Sequence, residues 1–232
     1  MDITCTNINF AQYGLTTTCV GYQIHVLIDD VQERVSELLH SISDQSWINS
    51  LEACKQLTFK ARANATIYHI SNNIISKVQN DITEEFGEFM VSSSAQDALE
   101  DELNHLKIPL AELLKEKIIG NPGFDFHTES SNEVLVFGEA KYSEAGTPRR
   151  KALKQIGEFI QKDKDEMELI ILNEFCSENA MTNAVKSERG YCAAFSFNGG
   201  NIDTIFRNAI NSVDFQNLLN NKELYLIAVE VS

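Results

Sequence analysis

Apolar positions change rhythm along the chain, and each change predicts a different kind of element. Near the start, β-branched and apolar residues bunch in Thr18-Cys19-Val20 and again in Ile24-His25-Val26-Leu27-Ile28, which predicts two short strands or a hairpin. From Val31 the spacing turns helical: Val31, Val35, Leu38, Leu39 and Ile42 form one stripe among Glu33, Arg34 and Glu37. Helices are predicted over 47–59 and 61–78, the second carrying Ile67, Ile70, Ile74 and Val78 at three- or four-residue intervals. Asp81 followed by Glu84 reads as a helix start ahead of Phe86, Phe89 and Met90. A further acidic helix is expected over 95–106, and a shorter one opens at Pro109 and runs to residue 119.

Beyond the Gly120-Asn121-Pro122-Gly123 turn the texture becomes α/β. Residues 124–128 and 133–141 predict strands, 148–162 a helix, and 169–172 and 224–231 buried strands. The sum is a strand-strand-helix-strand unit. It suggests an N-terminal elaboration over 1–80, mainly helical, and an α/β core over 81–232.

Composition narrows the function classes. A chain of 232 residues with 43% hydrophobic content can bury one sizeable core. Its first residues lack the basic and apolar regions of a secretory signal, and no apolar run approaches the roughly 20 residues needed to cross a bilayer, so a cytoplasmic location without membrane attachment is expected. Cys5, Cys19, Cys54, Cys176 and Cys192 are scattered and form no CxxC pair, which points to reduced packing thiols. The net charge of -15 opposes unaided binding to nucleic acid; metal ions at the site or a basic partner would reconcile the two.

The strand Val134-Leu135-Val136-Phe137-Gly138-Glu139-Ala140-Lys141 delivers an acid and a base together at its end. Period two puts Glu139 and Lys141 on one face, about 7 Å apart along the strand. Asp125, in the preceding strand, lies within reach across a hairpin. Two converging carboxylates make a hard-oxygen site suited to Mg²⁺, and the Ala140 carbonyl is a further candidate ligand. Phosphodiester hydrolysis needs an activated water and a charge clamp, both of which a bound metal supplies. Lys141 would orient the water and balance charge.

The run Gly123-Phe124-Asp125, then Gly138-Glu139-Ala140-Lys141, then a helix bearing Gln155 and Phe159 as Gln-x-x-x-Phe, resembles the PD-(D/E)xK nuclease superfamily. Glu85-Phe86-Gly87-Glu88 looks like the helical segment that adds a further glutamate in such enzymes, which would make Glu88 the first acid of the site. Within the superfamily the arrangement looks most like the HamA family, the small nuclease subunits of Hachiman anti-phage defence, over residues 80 to 175. The resemblance implies a restriction-endonuclease-like core of mixed sheet flanked by helices. It also implies Asp125, Glu139, Lys141, Glu88 and Gln155 as the catalytic set, and Asp125, Glu139, Ala140 and Glu88 as ligands of Mg²⁺, with Mn²⁺ as a substitute. It implies DNA as substrate and a HamB-like superfamily 2 helicase as partner. In one respect the sequence departs from the pattern, for Gly123-Phe124 stands where a proline often precedes the aspartate.

Each residue also has a plainer reading. Glu-x-Lys is a common surface alternation, although this chain holds only one acid-x-Lys triplet. Asp125 could cap a turn, and Glu84 or Glu85 could replace Glu88. Gln155 could bridge site and substrate or lie on a wet helix face. His127 shares a strand face with Asp125, yet a lone histidine is more often a packing residue. Arg149, Arg150, Lys151 and Lys154 form a basic cluster that suits either phosphate or solvent. Two other functions compete with the regulated nuclease: a non-catalytic interaction subunit that keeps the fold, and a stand-alone restriction-type endonuclease.

Overall fold

The computed structural model describes residues 1–71, 83–114, 123–143 and 147–231. Its centre is a seven-stranded mixed sheet built from β1 (Asp2–Asn7), β2 (Val20–Ile28), β3 (Leu106–Lys107), β4 (Phe126–Glu129), β5 (Leu135–Lys141), β6 (Gly190–Phe197) and β7 (Glu223–Val231). The order across the sheet is β1-β2-β7-β6-β5-β4-β3. The middle strands β2, β7, β6 and β5 run parallel, while β1, β4 and β3 pair antiparallel at the edges. Parallel strands covered on both faces need apolar side chains in both directions. Accordingly β6 is buried along its whole length.

Helices α1 (Val31–Ser43), α2 (Ala53–His69), α3 (Glu84–Leu103) and α4 (Ala111–Leu114) come before β4. Helices α5 (Pro148–Gln161), α6 (Lys164–Leu172), α7 (Glu178–Val185), α8 (Ile202–Ile210) and α9 (Val213–Gln216) follow β5. The register pairs His127 with Phe137 and Phe126 with Gly138, so successive residues of β5 alternate between the two faces. On one face α5 and α6 reach the sheet through Phe159, against Phe124, and Glu168, against His127. On the other, α3 packs along β4, β5 and β6.

The pattern-based elements stand with several corrections. The early hairpin is a single continuous strand, β2, and its antiparallel partner is β1. Helix 47–59 resolves into a short 3-10 turn at Ser46–Ser50 followed by α2, and residues 72–78 of the next expected helix lie outside the described residues. Asp81 lies outside the described residues; the helix expected from the Asp81–Glu84 start and the one expected over 95–106 are one helix, α3, capped by Thr83. Its residues Phe86, Phe89, Met90, Val91, Ala95, Ala98 and Leu99 are buried on several sides, so no single apolar stripe marks it. Residues 169–172 are helical, not a strand: Asp165, Glu168 and Leu172 are buried at helical spacing while Met167 and Ile170 face solvent. A four-residue apolar run does not distinguish the two forms.

The sheet draws strands from both sides of residue 80, because β2 lies between β1 and β7. The Gly120–Pro122 part of the expected turn, and the end of the helix opened at Pro109, lie outside the described residues. All five cysteines are free thiols. Among the described residues no helix is long and apolar enough to cross a membrane.

Candidate active site

Asp125 stands one residue ahead of β4. Its main-chain N–H donates to Gly138 O at 2.9 Å, and its Oδ2 accepts the Ala140 N–H at 2.8 Å. The carboxylate is thereby tied to the end of β5, between the two residues that carry the acid and the base. Antiparallel pairing of β4 with β5 is what brings it there.

Glu139 is fully buried, beside the small residue Ala193 of β6. Lys141 Nζ lies 2.7 Å from Glu139 Oε1, a close contact that offsets the charge of the acid. Burial, and then the neighbouring charge of Asp125, hold the Glu139 carboxyl well above the ordinary glutamate range, with Lys141 pulling the other way.

The Lys141 ammonium is the common neighbour of the acceptors. Besides Glu139, it lies 3.2 Å from Glu88 Oε1 and donates to Ala140 O at 2.9 Å. Burial alone would lower its pKa, but Glu139, Asp125 and Glu88 together outweigh burial and raise it, so the group stays charged. Glu88 itself is half-buried. Burial raises its carboxyl, Lys141 lowers it and Asp125 raises it again.

Of the three candidate helix acids, Glu88 is the one placed against Lys141. Glu84 and Glu85 are exposed, and Glu85 lies 3.4 Å from His69. Two glycines set this placement. A Cβ on Gly87 would fall 2.1 Å from the ring of Tyr142, so only glycine lets α3 press on the residue that follows Lys141. A Cβ on Gly138 would fall 2.2 Å from the Phe126 ring, which fills the space beneath the residue that precedes Glu139. Gly87 inside a helix costs about 1 kcal/mol relative to alanine, a cost that close packing against Tyr142 explains.

The remaining candidates lie apart from this group. Gln155 is half-buried on α5 and makes no hydrogen bond to the four residues among those described. Phe159, its partner in the motif, is buried with its ring 5.1 Å from that of Phe124. His127 is fully buried, with Nε2 2.6 Å from Glu168 Oε2, an acid whose role shows only once α6 is placed. Arg149 Nη1 donates to Ile205 O at 3.1 Å, while Arg150, Lys151 and Lys154 are exposed.

Among the described residues, no group of three or more His, Cys, Asp or Glu side chains is placed so that it could hold a metal ion. By donor type alone the site suits a hard cation: the carboxylates of Glu139 and Glu88 and the Ala140 carbonyl lie around the Lys141 ammonium, and the Asp125 carboxylate, held on the Ala140 N–H, adds negative charge beside them. In this structure the lysine ammonium supplies the positive charge. Comparison of the chain with protein-family models, with curated proteins and with solved structures returns no match.

Proposed function

We propose that this chain is a metal-dependent DNA endonuclease of the PD-(D/E)xK type, related to the HamA family and acting as the effector subunit of an anti-phage complex. The observation that carries the reading is the gathering of Glu139 and Glu88 on Lys141, with Asp125 held on the Ala140 N–H, at the end of β5. Asp125, Glu139, Glu88 and the Ala140 carbonyl would hold Mg²⁺, or Mn²⁺ in its place. The bound ion supplies an activated water and offsets charge on the phosphate.

The protein's own groups divide the remaining work. Asp125, fixed by the Ala140 N–H, keeps one carboxylate oxygen directed at the end of β5. Burial and the charge of Asp125 raise the Glu139 carboxyl, so a cation held there would bind more tightly as pH rises and the group ionises. Lys141, held charged by its acidic neighbours, acts as a donor that orients water or phosphate oxygen and not as a base. Glu88 keeps the ammonium in place.

A chain of net charge -15 is a poor electrostatic match for DNA, so a HamB-like superfamily 2 helicase would bring the substrate to it. One observation favours a second reading, a non-catalytic subunit: Lys141 already offsets the buried carboxylates without any metal. Plasmid and linear DNA cleavage with Mg²⁺ separates the two, comparing wild type with Glu139→Ala/Lys141→Ala, alone and co-purified with a neighbouring helicase. Metal-dependent cutting lost in the double variant supports the nuclease, and cutting seen only with the helicase supports a regulated subunit. Absence of cutting in every combination sinks it.

A further inference from the structure

Asp125 depends on the least supported strand near the site. β4 has four residues, and its outer neighbour β3 has two, pairing only with Glu129 and Thr128. Beyond that ladder, Ile108 N donates to His127 O at 3.3 Å and Ala111 N to Asp125 O at 3.2 Å. Short strands near a sheet edge open locally more readily than central ones.

Two buried side chains reinforce β4 from different helices. Gln96 of α3 donates from Nε2 to both Ile108 O, at 2.7 Å, and His127 O, at 2.9 Å. Glu168 of α6 accepts the Phe124 N–H through Oε1 at 3.1 Å, and its Oε2 lies 2.6 Å from His127 Nε2. Phe124 and His127 bracket Asp125 in the chain, so one carboxylate grips both sides of the proposed ligand. The helix that carries it is anchored in turn: Asp165 is ion-paired with Arg189 and accepts the Tyr191 hydroxyl at 2.7 Å.

We propose that Glu168 is a positioning residue for Asp125, a clamp that fixes the start of β4 so that the Asp125 carboxylate stays on the Ala140 N–H. The role assigned to Glu168 is positional and involves no contact with substrate or cation. The proposal rests on the nuclease reading only where activity is measured; the placement of Asp125 is testable without it.

The experiment compares wild type, Glu168→Ala, Glu168→Gln and, as a control for general destabilisation, Phe206→Leu in α8. Amide hydrogen exchange is followed over 124–129 and over 224–229 of β7, and Mg²⁺ is titrated in the cleavage assay with the helicase-containing complex. Glu168→Ala is expected to quicken exchange in 124–129 alone and to raise the Mg²⁺ needed for half-maximal cleavage roughly 10- to 100-fold. Glu168→Gln, which keeps an acceptor for the Phe124 N–H, is expected to recover most of both. Phe206→Leu should leave the Mg²⁺ requirement unchanged. Exchange in 124–129 that is unaltered, or that quickens in step with β7, overturns the proposal. Local quickening in a protein whose wild type cuts no DNA upholds the clamp and removes the nuclease reading instead.

Discussion

Ionisation of Glu139 works against the fold. Its carboxyl is held well above 4.5, by burial first and by Asp125 second. A carboxyl raised in the folded state weakens stability as pH climbs above the unfolded value, and the penalty is absent below it. Glu139→Gln is therefore expected to melt higher than wild type at neutral pH without metal, by roughly 2–4 °C for each kcal/mol relieved, and the gap should close as pH falls toward the ordinary glutamate range. A gap that ignores pH contradicts this account. Lys141→Met has the opposite sign, because it leaves buried acids without their cation; a loss of about 3–5 kcal/mol is expected at neutral pH, reduced by Mg²⁺ or by acidification. Thermal melts with and without Mg²⁺ check both. Asp125, Glu139 and Lys141 were legible from spacing alone, because strand periodicity and one hairpin suffice to bring them together. Glu168 was not, since an acid in an apolar run shows its role only when the helix carrying it is placed.

At the scale of elements, the site depends on how closely α3 meets the end of β5. Gly87→Ala drives a methyl group into the Tyr142 ring, and the overpacking, about 1–3 kcal/mol, exceeds the roughly 1 kcal/mol of helix propensity gained. The variant should be less stable and less active, whereas Glu84→Gln and Glu85→Gln should leave cleavage unchanged. Combining Gly87→Ala with Tyr142→Ala should be less destabilising than the two single changes added together, as urea titration of the four proteins would show. Additive losses would mean that the ring and the helix do not press on each other. Helices α1 and α5 were readable because each buries one face, and the strands β4 and β5 because turn residues set them off. The central strand β6 and the long helix α3 are buried on all sides, and burial of that kind erases the period that sequence reading relies on.

At the scale of the molecule, charge and topology set separate conditions. With a net charge of -15, the isolated chain is expected to show weak duplex binding and a shallow dependence of affinity on salt, and the helicase complex a steep one; fluorescence anisotropy across a salt series measures both slopes. A steep slope from the chain alone would remove the need for a basic partner. The joining of β2 to β7 has a consequence in time. Val20 pairs with Glu223 and Ile28 with Val231, so the sheet is bridged between segments about 200 residues apart in synthesis. At about 5–20 residues per second, β2 waits on the order of ten to forty seconds on the ribosome before its neighbour exists. The β4–β5 hairpin and its acids are translated well within that interval. A nascent chain thus carries the chemical groups of the site well before β7 supplies the framework that joins them to β2.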